Sequence, residues 1–446
     1  MMRFLLAFLV ASLAATPVLA QTPDASARLH AWFDPLVESR DFSGMIAIRQ
    51  SGQPLQLETF GYADWQAGTR FGASSRIPAG TLTQGLTHAL ILQLASRGTI
   101  EMDAPLSHFI PEWPGARLIT VRDVLEDRAG LPASWPADAP IDGSSHQLVG
   151  WLQTNAIIRP DPHEVSPSMI GEALLALVVE RALSGRFETW ASARLLGPLD
   201  MNDSRVVRGA IDSDPTPYRA GPLPWDLTAV PGTTSQLGST GLVTTMADLL
   251  NWGDAVATRR VDLFEANGAL HGGFAVTQIG EQVIYVSQSE SDGIVTGLAL
   301  LPRSGLTIAW TANIDAYATP HLGAVIPSLV LGIAIDPAPA RALTYEPRDE
   351  HGAALGMYDW PDVGAVEIAD LDGSFWLITE NARRYLTPLG EAALLDRATH
   401  TRLDFVRDED GWVTGLSAHH APAQGVPVSF DVRRTDPRPV AEPPAD

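Results

Sequence analysis

Apolar positions along the chain follow two periods, and their order predicts the layout. Within the first 335 residues, strand-like runs lie near the two ends: Met45 to Ile48, Leu57 to Tyr62, Val283 to Val286, Ile294 to Leu301 and Leu306 to Ala312. Between them, Leu82 to Ser96, Gly171 to Leu183 and Met246 to Ala257 carry apolar residues at three- and four-residue intervals, the helical period. Strands from both ends of such a region commonly meet in one sheet, with the intervening helices forming a second lobe. This predicts a mixed α/β (α+β) domain over residues 21–335. A Pro-rich, charged connector follows at 336–350, including Pro337, Pro339 and Pro347, where neither helix nor sheet is sustained. Beyond it the runs Val366 to Ile368, Phe375 to Ile378, Leu403 to Arg407 and Val428 to Val432 alternate between turn pairs such as Asp372-Gly373 and Asp410-Gly411. They predict a small antiparallel β domain over 351–434, followed by a Pro-rich tail at 435–446 expected to be disordered.

The first 20 residues open with Arg3, continue through the apolar run Phe4 to Ala15 and end in Val18-Leu19-Ala20. This is the pattern of a cleaved secretory signal, too short and too Pro-broken for a bilayer span. The expectation is a periplasmic or secreted protein with no membrane span after signal cleavage.

Composition narrows the chemistry. The 446 residues include 52 acidic and 30 basic side chains, for a net charge of -22, and every basic residue is Arg. Without Lys there is no Schiff base, no lysine base and no Walker A phosphate loop. Without Cys there is no thiol nucleophile, disulfide or cysteine-bound metal. So negative a field repels phosphate backbones, and no nucleic-acid partner is expected. His419-His420 lacks further ligands at suitable spacing, and neither a metal nor another cofactor is expected.

The order of segments resembles the serine hydrolases of the class C β-lactamase and DD-peptidase type. The resemblance rests on Phe42 to Ile48 leading to Phe60-Gly61-Tyr62-Ala63-Asp64, on Ala89 to Leu94 followed by Arg97-Gly98-Thr99-Ile100, and on Ile119 to Leu125 ending in Gly130-Leu131-Pro132. Arg194 to Met201 and Gly241 to Leu249 continue it, and Phe405 to Leu416 is similar to the small β domain appended to many of these proteins. The resemblance implies a β-lactamase/transpeptidase-like fold, with an antiparallel sheet flanked by helices and an all-helical lobe.

It also implies three catalytic boxes. The first is Ser-x-x-Lys, in which the Ser attacks a carbonyl and the Lys takes its proton. Counting back from Ile91 places Thr81 at the Ser position and Gln84 at the Lys position. Tyr-x-Asn aligns with Pro167, Ser168 and Met169, and Lys-Thr-Gly or His-x-Gly with Ser287, Gln288 and Ser289. The titratable group is gone from each.

The expectation is therefore a degenerate member, in which Thr81, Gln84, Ser168 and Ser287 fill a vestigial cleft that binds a small molecule or peptide without turning it over. In one version of a functional cleft, backbone amides near Thr81 and Ser289 survive as an oxyanion-hole-like pair able to hold a carbonyl or carboxylate. The alternative is a divergent ester, amide or peptide hydrolase using Thr81 with His163 as substitute base, oriented by Asp161 or Glu164. His88 is a second histidine near the cleft, for which packing within the helix is expected. A third, structural role has the C-terminal β domain pairing with a protein partner or covering the cleft.

Overall fold

The computed structural model describes residues 23–51, 53–135, 145–155, 165–220, 227–232, 234–264, 270–291, 293–315, 322–335, 349–361, 363–371, 373–379, 383–389, 392–396, 401–420 and 428–437. The strands predicted at the two ends of the first domain do meet in one sheet. Strands β1 (Gly44–Gln50), β2 (Gln56–Phe60), β3 (Ala275–Ile279), β4 (Gln282–Ser291), β5 (Ile294–Leu301) and β6 (Leu306–Ala312) are ordered β3-β4-β5-β6-β1-β2. β1 and β6 pair antiparallel in the register Gly44↔Ala312 to Gln50↔Leu306, which joins the start of the domain to its end.

β5 and β6 are buried at every position because both faces of the sheet are covered. Val295, Ala299, Leu301, Ile308 and Trp310 pack with α1 (Pro23–Glu38) and a C-terminal helix, Leu322–Leu331. Leu298, Leu300 and Ala309 belong to the opposite core, shared with the helical lobe. That lobe contains α2 (Thr83–Ser96), α3 (Val121–Leu125), α4 (Ser145–Asn155), α5 (Met169–Leu183) and α6 (Met246–Ala257). α5 is apolar around its whole circumference, as a helix enclosed by protein must be, and Ile170 to Val179 are all buried. α6 is tied to the sheet by Arg49 of β1, whose guanidinium donates to Asn251 Oδ1 at 2.8 Å and Asp254 Oδ2 at 2.9 Å.

The C-terminal module is a closed antiparallel barrel of eight strands. These are β7 (Gly356–Trp360), β8 (Gly364–Leu371), β9 (Ser374–Ile378), β10 (Arg383–Leu389), β11 (Ala393–Asp396), β12 (Thr401–Arg407), β13 (Val413–His420) and β14 (Val428–Arg434). Its interior holds Tyr358, Phe375, Leu377, Leu394, Leu403 and Leu416. Arg434 fastens the seam where β14 meets β7. It donates to the carbonyls of Ala353, Leu355 and Val413, pairs with Asp436 at 2.9 Å and lies 4.1 Å from the Trp412 ring centroid. Thr435 N–H donates to Met357 O at 2.8 Å, so the chain grips the barrel past the boundary expected for the tail.

Candidate functional site

Thr81 sits in a 3-10 turn, Gly80–Leu82, at the entrance to α2. This turn is pinned from several sides. Ala79 N–H donates to Leu242 O at 2.8 Å, Thr83 Oγ1 donates to Gly80 O at 2.6 Å and accepts Leu242 N–H at 3.0 Å, and Thr296 Oγ1 donates to Pro78 O at 2.8 Å. Gly80 has φ +53°, and a Cβ there would lie 2.1 Å from Ser289 Oγ. Both the backbone conformation and the close approach of β4 require glycine.

β4 passes the turn with alternate side chains facing it, as the two-residue period of a strand dictates. Ser287 and Ser289 are buried on that side, whereas Gln288 accepts from Trp310 Nε1 at 3.1 Å. Ser289 Oγ accepts the Thr81 N–H at 2.9 Å. This corrects the expectation of a surviving pair of amides: the Thr81 amide is already satisfied by a side chain and is not presented to a carbonyl. The physical reason is the Ser at the third position of the Lys-Thr-Gly box, where the resemblance calls for a Gly with nothing beyond Cα.

The other positions carry no titratable side chain. Thr81 Oγ1 has no hydrogen-bond partner among the described residues. Gln84 reaches Ser239 Oγ only at 3.5 Å and cannot titrate. Gln84 and Ser287 both flank Gly273, lying 3.6 Å and 3.5 Å from where its Cβ would be. Thus Thr81, Gln84, Ser287 and Ser289 gather at one place, as the box spacing implies. Ser168 does not join them. Its hydroxyl caps α5, accepting Gly171 N–H at 3.1 Å and donating to Pro132 O at 2.5 Å. Met169, one residue on, lines a cavity of about 130 Å³ together with Gly80, Gln236, Ser289 and Thr296. His163 lies outside the described residues.

Behind Gln84 lies a polar cluster that the sequence reading largely missed. His88 and Glu172, each 5% exposed, join at 2.7 Å between His88 Nε2 and Glu172 Oε1, linking α2 to α5. Gly272 N–H donates to His88 Nδ1 at 2.9 Å. Nδ1 is thus the acceptor and Nε2 the donor, which fixes the tautomer. Burial pulls the His88 pKa down, but the Glu172 carboxylate outweighs it and holds the imidazole above its ordinary value. Nearby Asp127 is pushed up to about 6, chiefly by burial and then by repulsion from Glu172, with His88 opposing. The available signals were slight: one Glu in the apolar run Met169 to Val179, and one His on an apolar helix. The cluster joins α2, α5 and the segment Leu270 to Phe274. His419, in the barrel, bonds Ser429 Oγ at 2.8 Å, and the described residues contain no cluster of three or more His, Asp or Glu able to hold a metal.

Sheet, helical lobe and a helix-entry turn facing a buried strand define the fold of the penicillin-recognising serine hydrolases. The chain belongs to the beta-lactamase family, whose sequence profile matches residues 29–322. It is similar to esterase EstB of Burkholderia gladioli, 26% identical over 234 residues, 47% of this chain and 59% of that protein. It is also similar to the esterase/beta-lactamase LipL of Mycobacterium tuberculosis, 32% identical over 123 residues, 24% of this chain and 29% of that one. The chain thus spans less than two thirds of the length of either curated relative. Among solved structures, SurE superposes with a TM-score of 0.58 at 20% identity, covering 92% of this chain and 99% of SurE. The D-amino acid amidase of Ochrobactrum anthropi SV3 complexed with L-phenylalanine gives 0.59 at 16% identity, covering 69% and 98%. At such identities the likeness shows the fold alone.

Proposed function

We propose that this chain is a binding protein built on its family's hydrolase scaffold, having lost acyl transfer, and that it acts in the periplasm or outside the cell after removal of residues 1–20. One observation carries the reading: the turn that should present a nucleophile and an oxyanion-holding amide presents a Thr with no base beside it among the described residues, its amide occupied by Ser289 Oγ. General acid-base catalysis contributes roughly 10² to 10⁴ in rate, and oxyanion donors a further 10² to 10³. Their combined loss leaves binding as the activity the site supports. The positions facing the cleft are neutral on a protein of net charge -22, which favours a neutral or cationic small molecule or peptide held by backbone and apolar contacts.

The test is incubation with a fluorescent penicillin and with an activated ester, beside a Thr81→Ala control. The expected result is no labelling and no turnover above the control. Turnover lost in Thr81→Ala would overturn the proposal and return the chain to the hydrolases. A thermal-shift screen of neutral amides, cationic peptides and an anionic muropeptide then identifies the ligand class.

A further inference from the structure

A second cavity lies away from the vestigial cleft. Its volume is about 750 Å³, within the range of small-molecule sites. One wall is the outward face of α2, with Leu92 and Gln93. The others are the segments Arg194 to Leu199 and Arg260 to Phe264, with Arg122 at the rim. The cavity combines apolar walls with guanidinium groups, and the state of those groups decides what it suits.

Arg122 is committed to Asp103, at 2.8 Å, and to Glu126. Asp262, the acidic side chain in the lining, pairs with Arg259 at 3.4 Å and accepts Phe264 N–H at 3.1 Å. Arg194 and Arg260 are different. Arg194 Nη1 reaches Gln93 Oε1 at 3.4 Å and its guanidinium lies 5.3 Å from the Trp190 ring centroid, but its Nε–H is buried without an acceptor. Arg260 Nη2 donates to Pro198 O at 3.2 Å. Neither has a carboxylate partner among the described residues. A guanidinium at a cavity wall with no carboxylate partner gains a charge-assisted bond from the carboxylate oxygen of a ligand. Leu92, Leu195, Leu199 and Phe264 offer the rest of a ligand an apolar surface.

We infer that this cavity is a second binding site, for an amphipathic monoanion: a carboxylate head between Arg194 and Arg260, with an alkyl body against the leucines and Phe264. The site is independent of the reading of the cleft. The two differ in charge, since the positions facing the cleft are neutral whereas this cavity is lined by two guanidiniums with no carboxylate partner among the described residues.

The experiment is calorimetric titration of the full chain with decanoate, decanol and decyltrimethylammonium, below their aggregation concentrations, repeated with Arg194→Gln and Arg260→Gln. Decanoate should bind at one site per chain, at least tenfold tighter than decanol or the cation, and each substitution should weaken it about tenfold or more. Arg260 is exposed, so Arg260→Gln remains a fair test even if Arg194→Gln fails to fold; melting curves identify that case. Equal binding of decanol and decanoate, decanoate binding indifferent to Arg260→Gln, or no decanoate binding at millimolar concentration would each overturn the site.

Discussion

Ser289 Oγ and Thr81 N–H, 208 residues apart in sequence, meet at 2.9 Å. On the proposed reading, this contact occupies the amide that would stabilise an acyl oxygen. Intact-protein mass spectrometry after exposure to β-lactams should therefore show no adduct. The double variant Thr81→Ser/Gln84→Lys should fold, since both positions are only partly buried, and stay inert, because Ser289 still takes the amide and Pro167, Met169 and Ser287 supply no proton relay. Robust hydrolysis by this variant would show that the other two boxes lie elsewhere.

Gly80 keeps that contact in place. Gly80→Ala would put a methyl group 2.1 Å from Ser289 Oγ in a left-handed conformation. The expected cost is about 1–3 kcal/mol, read from denaturant unfolding. Combining it with Ser289→Gly, which removes the clash but not the backbone strain, should recover part of the loss. No recovery would mean that the two residues are not in contact.

Asp127 sets a pH dependence. Its carboxyl is raised from 3.8 to about 6, so between roughly pH 4 and 6 the native state holds a proton that the unfolded chain has released. Stability should fall across that window as pH rises. Asp127 has φ +55°, which Asn tolerates. Asp127→Asn should match the wild type at pH 4 and exceed it at pH 7 by about 1–2 kcal/mol, partial solvent contact screening the effect. A difference independent of pH would show that the carboxyl titrates normally.

Arg434 supports the barrel through a planar fork that Lys cannot copy. Arg434→Lys should lose several of its carbonyl bonds and the stacking on Trp412, destabilising the barrel by roughly 2–4 kcal/mol. Hydrogen exchange should show the loss in β7 and β14 first. Uniform acceleration across the β1 to β6 sheet instead would refute a local role.

Much of the first domain was legible because its strands are short apolar runs with clear punctuation. Ile294–Leu301 and Leu306–Ala312 form at the residues expected, divided by the Pro302 to Gly305 turn. α5 begins two residues earlier than its periodicity suggested, because the cap is Ser168, a residue read as a remnant of catalysis. In the barrel, β10 carries Arg383, Arg384 and Pro388, and β11 has only four residues, too few to show alternation. Counting along the motifs located Thr81, Gln84 and Ser287. The direction of the Ser289 hydroxyl, the His88 to Glu172 pair and the cavity shared by Arg194 and Arg260 depend on approaches between distant segments, which no local pattern encodes.

Closure of the barrel limits how the C-terminal domain can meet another molecule. With β7 hydrogen-bonded to β14, its described strands form a ring with no first or last member, so an incoming peptide finds no row of unpaired backbone groups to extend. A partner of this domain must be read by side chains and loop ends. The open margins of the larger sheet are β2 and β3, and β3 exposes Val276. Among the described strands, the edges open to strand addition therefore lie in the first domain, and the barrel is suited to contact without templating.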